Sequence, residues 1–208
     1  MKKANYILLD AARMDGAIQE ARNLNPDNTC LYEGDSEKFL AAVAPWLFAF
    51  EPGSDFARWV ARKGKGLNWG ILFSSEVEPV RLYKHLRRFL IIQTEQGREL
   101  YFRYYDPRVL RVFLPTCDGD QLREFFGPIN AFLAEDENGL MVEYALNESE
   151  LMYAELEDNL EGLATGGVGI PKLREDQITQ EATRAVITPD DVHERQERPP
   201  SKGWDFGY

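Results

Sequence analysis

WGILFS, residues 69–74, followed by a helical stretch from about Glu76 to Phe89, is the pairing whose reading decides the fold. A short apolar run too brief for a helix and bounded by turn residues reads as a buried strand. Three upstream runs have the same character: YILLD at 6–10, CLY at 30–32 and WLFAF at 46–50. Between the last of these and residue 69 lies a punctuated helix. Ser54 stands where an N-cap accepts free backbone N–H groups, DFARWVARK follows, and Gly64 supplies the stop. Strands alternating with helices in this way predict an α/β layer.

Downstream, LIIQT and ELYFRYY flank Glu95, Gln96 and Gly97, which predicts a hairpin adding antiparallel strands. Asp106-Pro107 opens a helix, because Asp caps it and Pro fits its first turn without losing a hydrogen bond. Asp118 with Gln121 forms a capping box, and Gly127-Pro128 closes that helix. INAFLAE and LMVEYAL around Asp136–Gly139 predict a second hairpin, and Asn147 with Glu150 predicts a capped helix through about Leu163. Thr165 to Gly169 breaks it, a weaker helix spans Glu175 to Val186, and Pro189 begins a polar tail. The expectation is a mixed sheet with flanking helices over residues 1–132. An acidic, mainly helical lobe with a hairpin follows over 133–188, then a tail with terminal aromatics over 189–208.

At 208 residues and 44% apolar the chain is able to bury a real core. No stretch approaches the roughly 18–20 apolar residues of a membrane span, and MKKANYILLDAARMD carries charges where a signal peptide keeps its apolar run. A cytoplasmic protein is expected. Cys30 and Cys117, far apart and each beside apolar residues, read as ordinary buried thiols. The net charge of −11 repels phosphate backbones and argues against nucleic acid as the main partner. Charge is also uneven: from Glu124 to Pro171 there is no Lys or Arg, while carboxylates recur from Glu124 through Glu161.

Catalytic constellations are sparse. Of the two histidines, His193 lies in the tail and His85 stands at helical spacing with Arg81, Lys84 and Arg88, without an evident Ser or Cys nucleophile near either. The Gly-rich pieces GKGLNWG and TGGVGIP lack the endings of phosphate-binding and dinucleotide-binding loops. The expectation is a protein with no enzymatic activity, no cofactor and no metal.

Three features are candidates for partner contacts. One helix face carries Arg81, Lys84, His85 and Arg88 opposite Val80, Tyr83, Leu86 and Leu90, as a docking face or as a solvated one. The acidic stretch 135–161 either docks on that face or steers a basic client. At the C-terminus Trp204, Phe206 and Tyr208 alternate with small or polar residues, as an edge-adding strand or as a tail that is mobile or packed on its own domain. FRYYDPRVLR, residues 102–111, is the densest polar constellation. It reads as a corner locked by Asp106 and Pro107 with Arg103 or Arg108 pairing to the cap, Arg103 and Tyr105 lying on one strand face. The alternative is that Arg103, Tyr105 and Arg108 bind a ligand directly.

Five blocks carry a family resemblance: YILLDAA at 6–12, APWLFAF at 44–50, NWGILFSS at 68–75, HLRRFLIIQTEQGRELYFRYYDPRVLRVFL at 85–114 and QLREFFGPINAF at 121–132. In this order the chain resembles the adaptor and chaperone family, once only a domain of unknown function, encoded beside the VgrG spikes of type VI secretion systems. The resemblance implies a cytoplasmic protein that binds a cognate secreted effector and delivers it to the tip of a VgrG trimer, without a cofactor. Beyond about residue 132 the likeness fades. The rival readings are an immunity protein that neutralises a toxin by direct binding and, more remotely, an enzyme of unknown class.

Overall fold

The computed structural model describes residues 3–93, 99–167 and 169–171. The chain is α/β: one seven-stranded sheet with helices on both faces, plus a separate two-stranded ribbon. The main sheet is built from β1 (Tyr6–Asp10), β2 (Asn28–Cys30), β3 (Pro45–Ala49), β4 (Gly70–Ser75), β7 (Ile129–Glu135), β8 (Met141–Asn147) and β9 (Glu150–Glu155). Their order across it is β2-β3-β1-β4-β7-β8-β9. The ribbon pairs β5 (Ile91–Gln93) with β6 (Glu99–Tyr101). Alternation of strand and helix leads one to expect parallel neighbours, yet every ladder is antiparallel. The reason lies in the centre. β3 and β4 run the same way, but β1 is inserted between them and opposes both.

Because successive side chains of a strand point to opposite faces, the central strands are apolar on both sides. Ile7 and Leu9 of β1 join Trp46, Phe48, Leu72, Leu133 and Met141 on one face. Helices α1 (Ile18–Leu24), α3 (Asp55–Gly64) and α7 (Leu160–Thr165) contribute to the core on that face. Leu8, Leu47, Ile71, Phe73 and Phe132 fill the other face with α4 (Pro79–Arg87), α5 (Pro107–Phe113) and α6 (Gly119–Phe126). That second core is aromatic. Phe125, fully buried, has Phe89, Phe113, Tyr104 and Phe132 within 5.5 Å between ring centroids. Gly70 allows the two central strands to meet, since a Cβ there would stand 2.0 Å from the Leu8 carbonyl oxygen.

Most of the caps are where the sequence places them. Ser54 accepts from Ala57 N at 3.0 Å, Asp106 from Arg108 N at 3.0 Å, and Asp118 and Gln121 form the full box on α6. β7, which spans the expected boundary at 132/133, pairs with β4 on one side and β8 on the other. The turn into β8 is held by Asp136, which accepts from Asn138 N and Leu140 N at 2.8 Å.

Two local expectations are corrected. Residues 150–155, read as the first turns of a helix, form β9 on the edge of the sheet. The Asn147 to Glu150 signature lies in a tight turn, where Glu148 adopts φ +56°, and the helix begins only at Leu160 under the Asn159 cap. Local capping chemistry at that point is overridden by pairing with β8. Likewise β6 stops at Tyr101, so alternation does not run through 102–105, and Tyr104 and Tyr105 are both buried in the same core. The turn Glu95–Gly97, the expected helix Glu175–Val186 and the tail from Pro189 lie outside the described residues.

Candidate partner-binding surfaces

α4 begins at Pro79, whose missing N–H costs nothing in a first turn, and its polar residues divide between two sides. Arg81, Lys84 and Arg88 are exposed at spacings of three and four, as expected. His85 is not on that open face; it is 8% exposed and turned inward. Its Nε2 bonds the Phe125 carbonyl at 2.9 Å, its ring meets Phe89 edge-on, and burial lowers its pKa. Burial disfavours the charged imidazolium, and this outweighs the opposing pull of the Phe125 carbonyl. On the other side of α4, Arg87 pairs with Glu33 and donates to the Leu31 carbonyl, while the Tyr83 hydroxyl donates to Glu33 at 2.9 Å. Arg87 is therefore an anchor that sequence reasoning missed, because two adjacent arginines on one helix give no sign of which turns inward.

Arg81, Lys84, His85 and Arg88 line one wall of an open groove whose other wall is Arg123, Glu124, Gly127 and Pro128. Arg88 pairs with Glu124 at 2.6 Å, and Arg123 with Asp120 and Ser149. Among the described residues Arg81 and Lys84 have no ion-pair partner. The acidic stretch forms its ion pairs elsewhere: Glu161 with Lys65 at 3.3 Å and Glu137 with Arg111 at 3.7 Å. Glu135 is buried and accepts from Gly66 N at 3.0 Å, its pKa raised by burial.

The 102–111 corner is a lock with two ion pairs. Asp106 caps α5 and accepts from Arg108 Nε at 3.0 Å, so Arg108 is the partner of the cap, while Pro107 fills the first turn. Burial alone raises the Asp106 pKa, but hydrogen bonds from the Arg108 side chain and backbone outweigh it and hold the carboxyl below its usual range. Arg103 reaches instead to Asp10, at the end of β1. Asp10 is 0% exposed and also accepts from Ala12 N at 3.1 Å; burial raises its pKa despite the guanidinium. Tyr105 is buried and hydrogen-bonded with Tyr32, and Tyr104 donates to the Leu86 carbonyl at 2.8 Å. Asp10 went unnoticed in the sequence, although a carboxylate ending an apolar strand is the available signal.

The strongest exposed feature is apolar and was not singled out in the sequence. α2 (Asp35–Leu40) buries none of its residues; Phe39 is 82% exposed, with Leu40 and the following Val43 also open. The ribbon presents Ile91, Leu100 and Tyr101, the last 62% exposed. Tyr101 touches Tyr32, with ring centroids 6.1 Å apart, and Tyr32 lies three residues before α2. The 31–34 segment thus joins the two exposed elements. Trp204, Phe206 and Tyr208 lie outside the described residues. Among the described residues no three His, Cys, Asp or Glu side chains form a metal-holding group, and no helix is long and apolar enough to cross a membrane.

Fold and surfaces together define an antiparallel α/β protein that leaves apolar side chains of α2 and of the ribbon exposed and gathers cations in a groove. The chain belongs to the family described as Domain of unknown function (DUF4123), matched over residues 5–124. That span includes β1 to β6, α2, the ribbon, the locked corner and α4, and ends within α6. No curated protein and no solved structure matches the chain.

Proposed function

We propose that this protein is a non-enzymatic cytoplasmic adaptor that binds a type VI secretion effector and promotes its loading onto the VgrG spike. The family it belongs to is associated with type VI secretion effector adaptor and chaperone function, which supports this reading. The observation that carries the reading is the uncovered apolar surface of α2 and the β5–β6 ribbon. A six-residue helix with no fully buried side chain gains little stability from tertiary packing, and short isolated helices and two-stranded ribbons are marginal in water. Exposed large apolar side chains on such weakly supported elements suit a surface that a protein partner covers. Phe39 and Tyr101 are the anchors, since aromatic side chains dominate binding energy when buried at the centre of an interface.

The test is co-purification of the full-length chain from its native host, wild type against Phe39→Asp and Tyr101→Asp, with mass spectrometry of the bound proteins. The expected outcome is one complex holding both an effector and a VgrG spike protein, depleted at least about tenfold in the variants while their melting temperatures stay unchanged. Undiminished recovery by both variants would remove the apolar surface from the reading. A bound toxin that is silenced in the absence of any spike protein would establish the immunity reading instead.

A further inference from the structure

We propose that the groove between α4 and the C-terminal end of α6 is a second binding site, specific for a carboxylate-rich peptide segment of a partner protein. This rests on the adaptor reading only in taking the ligand to be part of a partner; its chemistry comes from the groove itself. Four cations line it, Arg81, Lys84, Arg88 and Arg123, against one carboxylate, Glu124. Glu124 is already engaged by Arg88, and Asp120 beside the groove by Arg123. Arg81 and Lys84 are exposed and have no ion-pair partner among the described residues.

On a chain of net charge −11, with carboxylates available to pair them, two adjacent unpaired cations in a concave site are a concentrated positive field. The walls fix the site's shape. Gly127 stands at φ +48°, and a Cβ there would meet the His85 ring at 2.4 Å, so the imidazole and the Gly127-Pro128 turn are packed against each other. His85, with its Nε2 bonded to the Phe125 carbonyl, makes the inner wall a neutral, hydrogen-bonded ring and leaves the charge to the rim.

Guanidinium and ammonium groups at this spacing suit successive carboxylates of an extended segment, Arg81 by a bidentate fork and Lys84 as a point charge. Nucleic acid is disfavoured. The groove's lining holds no Phe, Tyr or Trp as a stacking platform, and the overall charge repels a long polyanion. A short acidic peptide meets only the local field. The rim charges then set encounter rate and partner choice, as charged groups around an interface generally do.

The experiment titrates the full-length protein with hexaglutamate at about 50 mM and about 200 mM salt, with hexaglutamine and a single-stranded hexanucleotide as comparison ligands. Wild type is expected to bind hexaglutamate, to ignore hexaglutamine, and to lose at least about fivefold in affinity at the higher salt. Arg81→Glu/Lys84→Glu is expected to weaken binding at least about tenfold, and Arg81→Lys, which keeps the charge but loses the fork, to weaken it less than the double variant does. Equal affinity in the double variant, or no hexaglutamate binding at low salt, overturns the site. Tighter binding of the hexanucleotide overturns its assignment to an acidic peptide. If the double variant merely lowers the melting temperature while hexaglutamate still binds, the cations serve only the stability of α4 and the site is overturned. Failure of the adaptor reading would appear in the co-purification above and leave this titration unaffected.

Discussion

Arg103→Ala tests the most consequential assignment in the corner, that this arginine holds the fold together. Its guanidinium is the ion-pair partner of Asp10, whose carboxylate is 0% exposed, and is itself 42% exposed. Removing one member of a fully buried pair costs about 3–5 kcal/mol, and water at the half-open guanidinium lowers the expectation toward the bottom of that range or below it. An independent ceiling comes from proton uptake. A carboxylate stranded in the core is able to protonate instead of staying charged, and against an unfolded value of about 3.9 that limits the penalty at pH 7 to about 4 kcal/mol. The expected loss is therefore about 2–4 kcal/mol at neutral pH, a fall in melting temperature of roughly 4–16 °C for a chain of this size.

The sign of the pH dependence follows from the raised pKa. A native state that holds its proton more tightly than the unfolded chain is favoured at low pH and loses that advantage as pH rises through the folded value. Asp10 already lies on that side in the wild type, and losing Arg103 moves it further. Urea unfolding followed by tryptophan fluorescence at about pH 5 and about pH 7.5 should therefore show the deficit of Arg103→Ala shrinking at the lower pH. In an Asp10→Asn background, where no charge is stranded, the same substitution should cost under about 1 kcal/mol. A loss below about 0.5 kcal/mol at neutral pH, or one that is the same at both pH values, would refute the assignment.

Two other outcomes follow from the cores. Phe125→Ala removes the ring around which the second core packs and should cost about 3–5 kcal/mol in urea unfolding, with little partial recovery because the neighbouring rings are themselves locked in place. Cys117 has its thiol pKa pushed up to about 12, by burial first and the nearby Asp118 second, so it should react with a disulfide reagent in the native protein far more slowly than after unfolding in urea.

The sheet was legible where side-chain pattern and fold agree. Runs such as YILLD and WGILFS are apolar on both faces because helices cover both, and the caps at Ser54, Asp106 and Asp118 are local chemistry that needs no tertiary knowledge. Strand direction was not legible, since it depends on β1 lying between β3 and β4, which no local signal encodes. The Asn147–Glu150 signature misled because turns and helix starts use the same side-chain to backbone bonds, and only pairing with β8 decides between them. On α4 the spacing correctly grouped Arg81, Lys84 and Arg88, but His85 is adjacent in angle to both faces and packing turned it inward. Asp10 and Arg103 are 93 residues apart, so their pairing is a property of the folded chain alone.

That long-range pair explains how so little packing supports the exposed ribbon. Both of its strands are three residues long, and all three side chains of β6 face solvent, so the ribbon cannot fix its own position. Its base is fixed instead. The Phe102 N–H bonds the Leu90 carbonyl at 2.9 Å across the two legs, and one residue further on Arg103 is tied to the central strand β1. Tyr104 then hydrogen-bonds α4, and Asp106 starts α5. Every residue from 102 to 106 is thus committed to a different neighbour, and the exposed Ile91, Leu100 and Tyr101 stand next to that fixed base. An apolar surface presented from a fixed frame loses less conformational freedom on binding than one carried by a loose loop. On the adaptor reading, the polar corner and the uncovered aromatics are then two parts of one device. The charges of Arg103 and Arg108 are spent on carboxylates within the chain, and what is offered to a client at this end of the molecule is Phe39 and Tyr101.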